Sequence, residues 1–154
     1  MKLSNEMKKG LGKPKVSQIP YKFLPHTADV RIKAYGKTLE EAFMNSAYAV
    51  TDVVTDHKKI KPVTEKIIKV EAEDQESLLY DFLEQFLVLI DSEGFLLNEI
   101  KELKITNNKL TAKIAGDTHP ENYEIHTHVK AMTYQEMSIK KEKDKYTIQF
   151  IVDI

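Results

Sequence analysis

Leu78, Leu79, Phe82, Leu83, Phe86, Leu87 and Ile90 recur at helical spacing and form the strongest apolar stripe of the chain. A stripe this wide requires an apolar surface to cover it, so the helix that carries it belongs to a core. Asp74 stands where an N-cap belongs, and Glu93-Gly94 gives the glycine stop signal. A second stripe, Leu39, Ala42, Phe43, Ser46, Ala47, Val50 and Val53, follows Thr38, which makes a capping-box pattern with Glu41. It predicts a helix over residues 39–54. The Phe82 and Phe86 rings are packing residues, with no sign of a base-stacking platform.

Strands surround these helices. Tyr21–Leu24 starts one that Pro25 interrupts, and Asp29–Tyr35 alternates Val30, Ile32 and Ala34 on one face. Ile67–Ala72 precedes the second helix. Phe95–Thr106 and Lys109–Ala115 flank Asn107-Asn108, a two-residue hairpin signal. Residues 116–123 are polar and rich in breakers, hence a loop. His126–Lys140 and Lys145–Val152 are expected to pair across residues 141–144. The fold class that follows is α+β: a compact two-layer domain, two helices on a mixed, mostly antiparallel sheet.

The 154 residues suit one domain, spanning 21–154 after a flexible basic leader of residues 1–20. The absence of cysteine excludes disulfides and thiolate chemistry and is compatible with a cytoplasmic location. No apolar run reaches the ~20 residues of a membrane span, and no secretory signal follows the basic start. Net charge is −1, but residues 1–22 hold six lysines against Glu6, which leaves an acidic body. That balance argues against a large phosphate-binding face. The lysine-rich leader either solubilises the chain or touches RNA. No Gly-rich phosphate loop, dinucleotide fingerprint or nucleophile elbow is present.

The run Tyr146–Val152 continues into Asp153-Ile154, so an apolar segment holds this end in a sheet. The Asp153 side chain and the Ile154 α-carboxylate are then neighbours. Asp29 stands at the mouth of a strand, just after His26. If it meets Asp153 in space, three carboxylates offer a hard oxygen site for Mg²⁺, Ca²⁺ or Mn²⁺. The alternative is solvated acids at strand ends. Lys130 either neutralises such a cluster or snorkels past Met132. His26 is a second-sphere donor to Asp29 or a strand cap. His126 and His128, at i, i+2 spacing, are ordinary strand histidines or the start of a zinc or iron site.

His26-Thr27-Ala28-Asp29, Ala34-Tyr35-Gly36, Leu39–Phe43, Gly116-Asp117, Val129–Tyr134 and Asp153-Ile154, in this order and spacing, resemble the archease family over residues 21–154. That resemblance implies a compact α+β fold and a divalent-metal site at Asp29 and Asp153, with Ile154 as a third contributor. It also implies a functional lysine at Lys130. The implied role is that of a non-enzymatic accessory protein in tRNA splicing. It would activate an RtcB-class RNA ligase by promoting guanylylation of the ligase and its multiple turnover. GTP would be used by the ligase and not bound by this chain alone, and tRNA would be met through the ligase. Three positions depart from the family pattern: Asp117 where glutamate is usual, and Tyr123 and Gln135 where histidine is common. The competing reading is a metal-dependent phosphoesterase using Asp29 and Asp153, with His126 or His128.

Overall fold

The computed structural model describes residues 19–24 and 29–154. His26 and residues 1–18 of the leader lie outside the described residues. The elements run β1 (Tyr21–Leu24), β2 (Asp29–Gly36), α1 (Leu39–Val54), β3 (Thr64–Glu71), α2 (Gln75–Glu93), β4 (Leu96–Thr106), β5 (Lys109–Asp117), β6 (Ala131–Glu142) and β7 (Lys145–Asp153). Short 3₁₀ turns occupy His57–Lys59 and Pro120–Asn122.

Both helices begin and end where local chemistry dictates. The Thr38 side chain accepts the Glu41 N–H at 3.0 Å, and Glu40 and Glu41 sit at the positive end of the α1 dipole. Asp74 accepts the Ser77 N–H at 2.7 Å, and this bond holds its carboxyl below the usual carboxylate range. Gly94 closes α2 in the left-handed region, φ 66°, where a side chain is disfavoured. Its N–H donates to the Ile90 carbonyl at 2.9 Å, and the Phe95 N–H donates to Leu89 at 3.1 Å.

The α+β class holds. The strands divide into two sheets, β1-β2-β7-β6 and β3-β5-β4, and every described pairing is antiparallel. α1 packs on β2 and β7 of the first sheet and on β4 of the second. α2 bridges in the same way, touching β6 of the first sheet and β3, β4 and β5 of the second. One apolar core therefore serves both sheets. Val30, Ile32, Phe150 and Val152 enter it from one, Ile68, Ile100, Leu110 and Ile114 from the other, and Phe43, Phe82 and Phe86 from the helices.

Two sequence expectations shift. The last hairpin turns tightly at Lys143-Asp144, with Lys143 at φ 54°. The strand expected from His126 begins only at Ala131. Residues 124–130 alternate in exposure like a strand, but their backbone bonds are isolated ones, His126 N–H to Val54 at 2.7 Å and Lys130 N–H to Asp153 at 2.7 Å. Exposure alternates there without a ladder partner, so an alternating pattern does not by itself make a strand.

Candidate metal centre

β2 alternates half-buried Asp29, Arg31, Lys33 and Tyr35 with buried Val30, Ile32, Ala34 and Gly36. The buried set faces the helices, so Asp29 projects from the outer face of the four-stranded sheet. In the β2–β7 ladder Asp29 pairs directly with Asp153, and Asp153 pairs with Ala131 of β6. Side chains of directly opposed residues lie on one face with Cβ atoms about 5 Å apart. The two carboxylates thus share one end of the sheet, with no bulky neighbour at Ala131. Asp153 is exposed, and the side chain of Ile154 packs against the core.

Lys130 reaches the same end by its backbone. Its N–H donates to the Asp153 carbonyl at 2.7 Å, while its ammonium is exposed and forms no ion pair among the described residues. His126 and His128 are both exposed, and His126 has a carboxylate oxygen of Glu124 at 3.9 Å. No third donor among the described residues joins them in a three-ligand group.

A second polar cluster escaped the sequence reading. Asp52 lies in the buried last turns of α1, where Tyr21 of β1 donates its hydroxyl to Oδ2. The His57 N–H donates to Oδ1 at 2.9 Å, and His57 Nδ1 lies 2.7 Å from the same oxygen. Burial, and then the neighbouring Asp52, push the Tyr21 phenol far above its ordinary pKa. Tyr48 stacks on the His57 ring, centroids 4.6 Å apart, and accepts the Ile100 N–H at 2.8 Å. Asp52, Asp56 and His57 bring possible ligand atoms within 4.8 Å of one another. Both Asp52 oxygens already hold protein donors, so this is a satisfied network that locks β1, α1 and the His57 turn together. The signal was a lone aspartate between Val50 and Val53, in a helix whose last turn is otherwise apolar or uncharged.

Asp117 ends β5 almost fully buried. Tyr123 donates to its Oδ2 at 2.6 Å and the His119 N–H to Oδ1 at 3.2 Å. The Tyr123 hydroxyl, above all, holds the Asp117 carboxyl below the usual range. Tyr123 also accepts the Lys61 N–H at 3.1 Å. At Tyr123, one of the three positions that depart from the resemblance, the phenol serves as a hydrogen-bonded strut for this loop.

The donor set at Asp29, Asp153 and the Ile154 carboxylate is all oxygen and anionic, which fits Mg²⁺, Ca²⁺ or Mn²⁺ better than a soft metal. No helix among the described residues is long and apolar enough to cross a membrane.

Residues 21–154 match the archease protein family (MTH1598/TM1083). A protein archease from Thermococcus kodakarensis is 43% identical over 134 residues, covering 84% of this chain and 94% of the relative. One from Sulfurisphaera tokodaii is 41% identical over 136 residues, covering 87% and 98%. The solution structure of Methanobacterium thermoautotrophicum protein 1598 superposes with a TM-score of 0.76 at 33% identity, over 88% of this chain and 99% of that one. The crystal structure of an archease described as a possible chaperone, from Thermotoga maritima, shares the fold with a TM-score of 0.56 at 19% identity, over 85% and 94%.

Proposed function

The chain belongs to the archease family, and from that membership we propose that it activates an RtcB-class RNA ligase in tRNA splicing, promoting guanylylation of the ligase and its multiple turnover. The observation that carries this reading is the direct pairing of Asp29 with Asp153 at one end of the outer sheet. Two carboxylates fixed on one face by a β ladder form a compact acidic tip, pre-ordered before any partner arrives.

Asp29, Asp153 and the Ile154 carboxylate would hold a divalent cation, Ca²⁺, Mg²⁺ or Mn²⁺, which when bound supplies positive charge for the phosphates of a nucleotide held by the ligase. The residues around them do the positioning. The backbone bond from Lys130 fixes the carbonyl of Asp153, and the Ile154 side chain pins the last residue against the core. The exposed Lys130 ammonium is free to meet a partner carboxylate or phosphate. In this reading the protein has no catalytic residue of its own, and GTP and tRNA are bound through the ligase, in the cytoplasm.

The test is multiple-turnover ligation by a cognate ligase with GTP and Mn²⁺, with substoichiometric wild type, Asp29→Ala or Asp153→Ala. Stimulation by wild type that both variants lose supports the reading. Stimulation that survives both substitutions defeats the tip. Phosphoester turnover by the isolated protein with Mn²⁺ would favour a hydrolase instead.

A further inference from the structure

The two sheets treat their lysines differently. On the outer face of β3-β5-β4, four of five lysines have a glutamate partner: Lys101–Glu65 at 2.9 Å, Lys104–Glu102 at 2.9 Å, Lys109–Glu71 at 3.9 Å and Lys113–Glu65 at 3.6 Å. Lys69 has none among the described residues, while Lys66, on the helix-facing side, pairs with Glu93 of α2 at 2.5 Å. That outer face largely neutralises itself.

The outer face of β1-β2-β7-β6 does not. Lys22 and Lys33 are direct partners across β1 and β2, a like-charge pairing that a sheet normally avoids. Lys33 neighbours Gln149 of β7, and Lys140 of β6 neighbours Thr147. Lys145 sets its ammonium 4.5 Å from the centre of the Tyr35 ring. Among the described residues none of these four lysines has a carboxylate within 4.0 Å, although Glu142 is the register partner of Lys145. These rows share a face with Asp29 and Asp153. Lys33 is four residues along β2 from Asp29, about 14 Å at strand rise. The Arg31–Glu136 pair, 2.6 Å, lies between them.

We propose that this face binds single-stranded RNA through its phosphates, with Lys22, Lys33, Lys140 and Lys145 as the contacts and the Tyr35 ring holding the Lys145 ammonium in place. Net charge conceals the site because it does not register pairing: the second sheet's lysines sit against glutamates, while these four ammonium groups have no carboxylate within 4.0 Å among the described residues. An acidic protein is the poorer occupant. Protein interfaces favour aromatic and apolar anchors and are depleted in lysine. The exposed large apolar side chains of the described residues, Val63, Ile67, Val88 and Tyr134, lie off this face. Lysines interleaved with a tyrosine ring and amide or hydroxyl donors suit a phosphate backbone. The choice of RNA rests on the ligase reading above, and adds to it a direct contact between this chain and the RNA that the ligase holds.

The test uses the full chain without ligase and a fluorescent single-stranded RNA of about 12 nucleotides. Affinity is followed by anisotropy against salt for three proteins. They are wild type, the face variant K22Q/K33Q/K140Q/K145Q, and the control variant K101Q/K104Q/K109Q/K113Q, which loses the same charge from the other sheet. Circular dichroism melts check that all are folded. Single strands give a slope near −0.7 in log K per log salt for each phosphate contacted, so the face variant should lose about 3 from its slope and bind at least about tenfold more weakly at low salt. The control should match wild type, and the leader, common to all three, cancels. Equal losses in both variants, no RNA binding by wild type, or displacement of RNA by polyglutamate at equal charge concentration would overturn the proposal. Absence of ligation stimulation by wild type would sink the accessory reading and leave the RNA result standing.

Discussion

Asp29 and Asp153 oppose each other directly across the β2–β7 ladder, two carboxylates in register on one sheet face. Like charges in that relation repel, and a cation between them converts repulsion into attraction. Asp153→Asn should therefore act in opposite directions with and without metal. In chelator the variant should melt no lower than wild type and be more stable by up to about 1 kcal/mol. With millimolar Ca²⁺ or Mn²⁺ wild type should gain stability and the variant should not. Thermal melts with and without cation decide this, and identical metal responses would rule out the site.

Tyr123→Phe should weaken the loop after β5. The phenol donates to Asp117 and accepts from the Lys61 N–H, and its loss leaves a buried carboxylate one donor short, a cost of about 1–3 kcal/mol. The sign of the pH effect follows from the lowered pKa of Asp117. Its contribution is fully present above the unfolded aspartate pKa, near 4, and is lost as pH falls through the lower folded value. Wild type should keep this stabilisation down to pH values at which the variant has lost it. Acid-unfolding curves should place the variant midpoint at higher pH.

Gly116→Ala should be among the most damaging single-methyl changes in the chain. A Cβ there would lie 2.0 Å from the Leu96 carbonyl oxygen and 2.9 Å from its carbon, both backbone atoms that cannot step aside. The β4–β5 pairing would have to open beside Asp117, at a cost of about 3 kcal/mol. Denaturant unfolding measures it directly, and a loss below about 1 kcal/mol would show that the ladder yields more easily than packed backbone should.

The parts of the fold that could be read from sequence were those with local causes. Thr38, Asp74 and Gly94 fix helix ends through bonds to residues three or four positions away, so α1 and α2 came out with their observed limits. Asn107-Asn108 closes its hairpin with both residues at positive φ, 52° and 58°. The division into two sheets had no such mark, because whether β2 pairs with β3 or β7 is decided by contacts more than a hundred residues apart. Nor does periodicity announce the irregularity in β6 between Thr133 and Ser138, where Glu136 takes φ 58° and reaches Arg31. At the site, sequence could name Asp29 and Asp153 but not their register. Asp52 was missed because helical spacing put it off the apolar stripe, whereas β1 and the His57 turn bury that flank.

Tyr21→Phe tests whether the Asp52 network holds β1 in place. β1 is a four-residue edge strand paired only with β2, and short edge strands fray. The Tyr21 hydroxyl ties it to Asp52 of α1, a bond across 31 residues of sequence. Removing that donor should cost about 1–2 kcal/mol. The loss should be local first, since the ring still packs on Phe23 at 5.8 Å between centroids. Amide hydrogen exchange should speed up in β1 and at its β2 partners Arg31 and Lys33, while β4 and β5 stay protected. Strand β2 also carries Asp29, so looser β1 pairing should weaken cation binding at the tip without touching a ligand. Uniform loss of protection would mean that Tyr21 supports the whole core and not this strand alone. Unchanged exchange in β1 would show that the ladder suffices without the network.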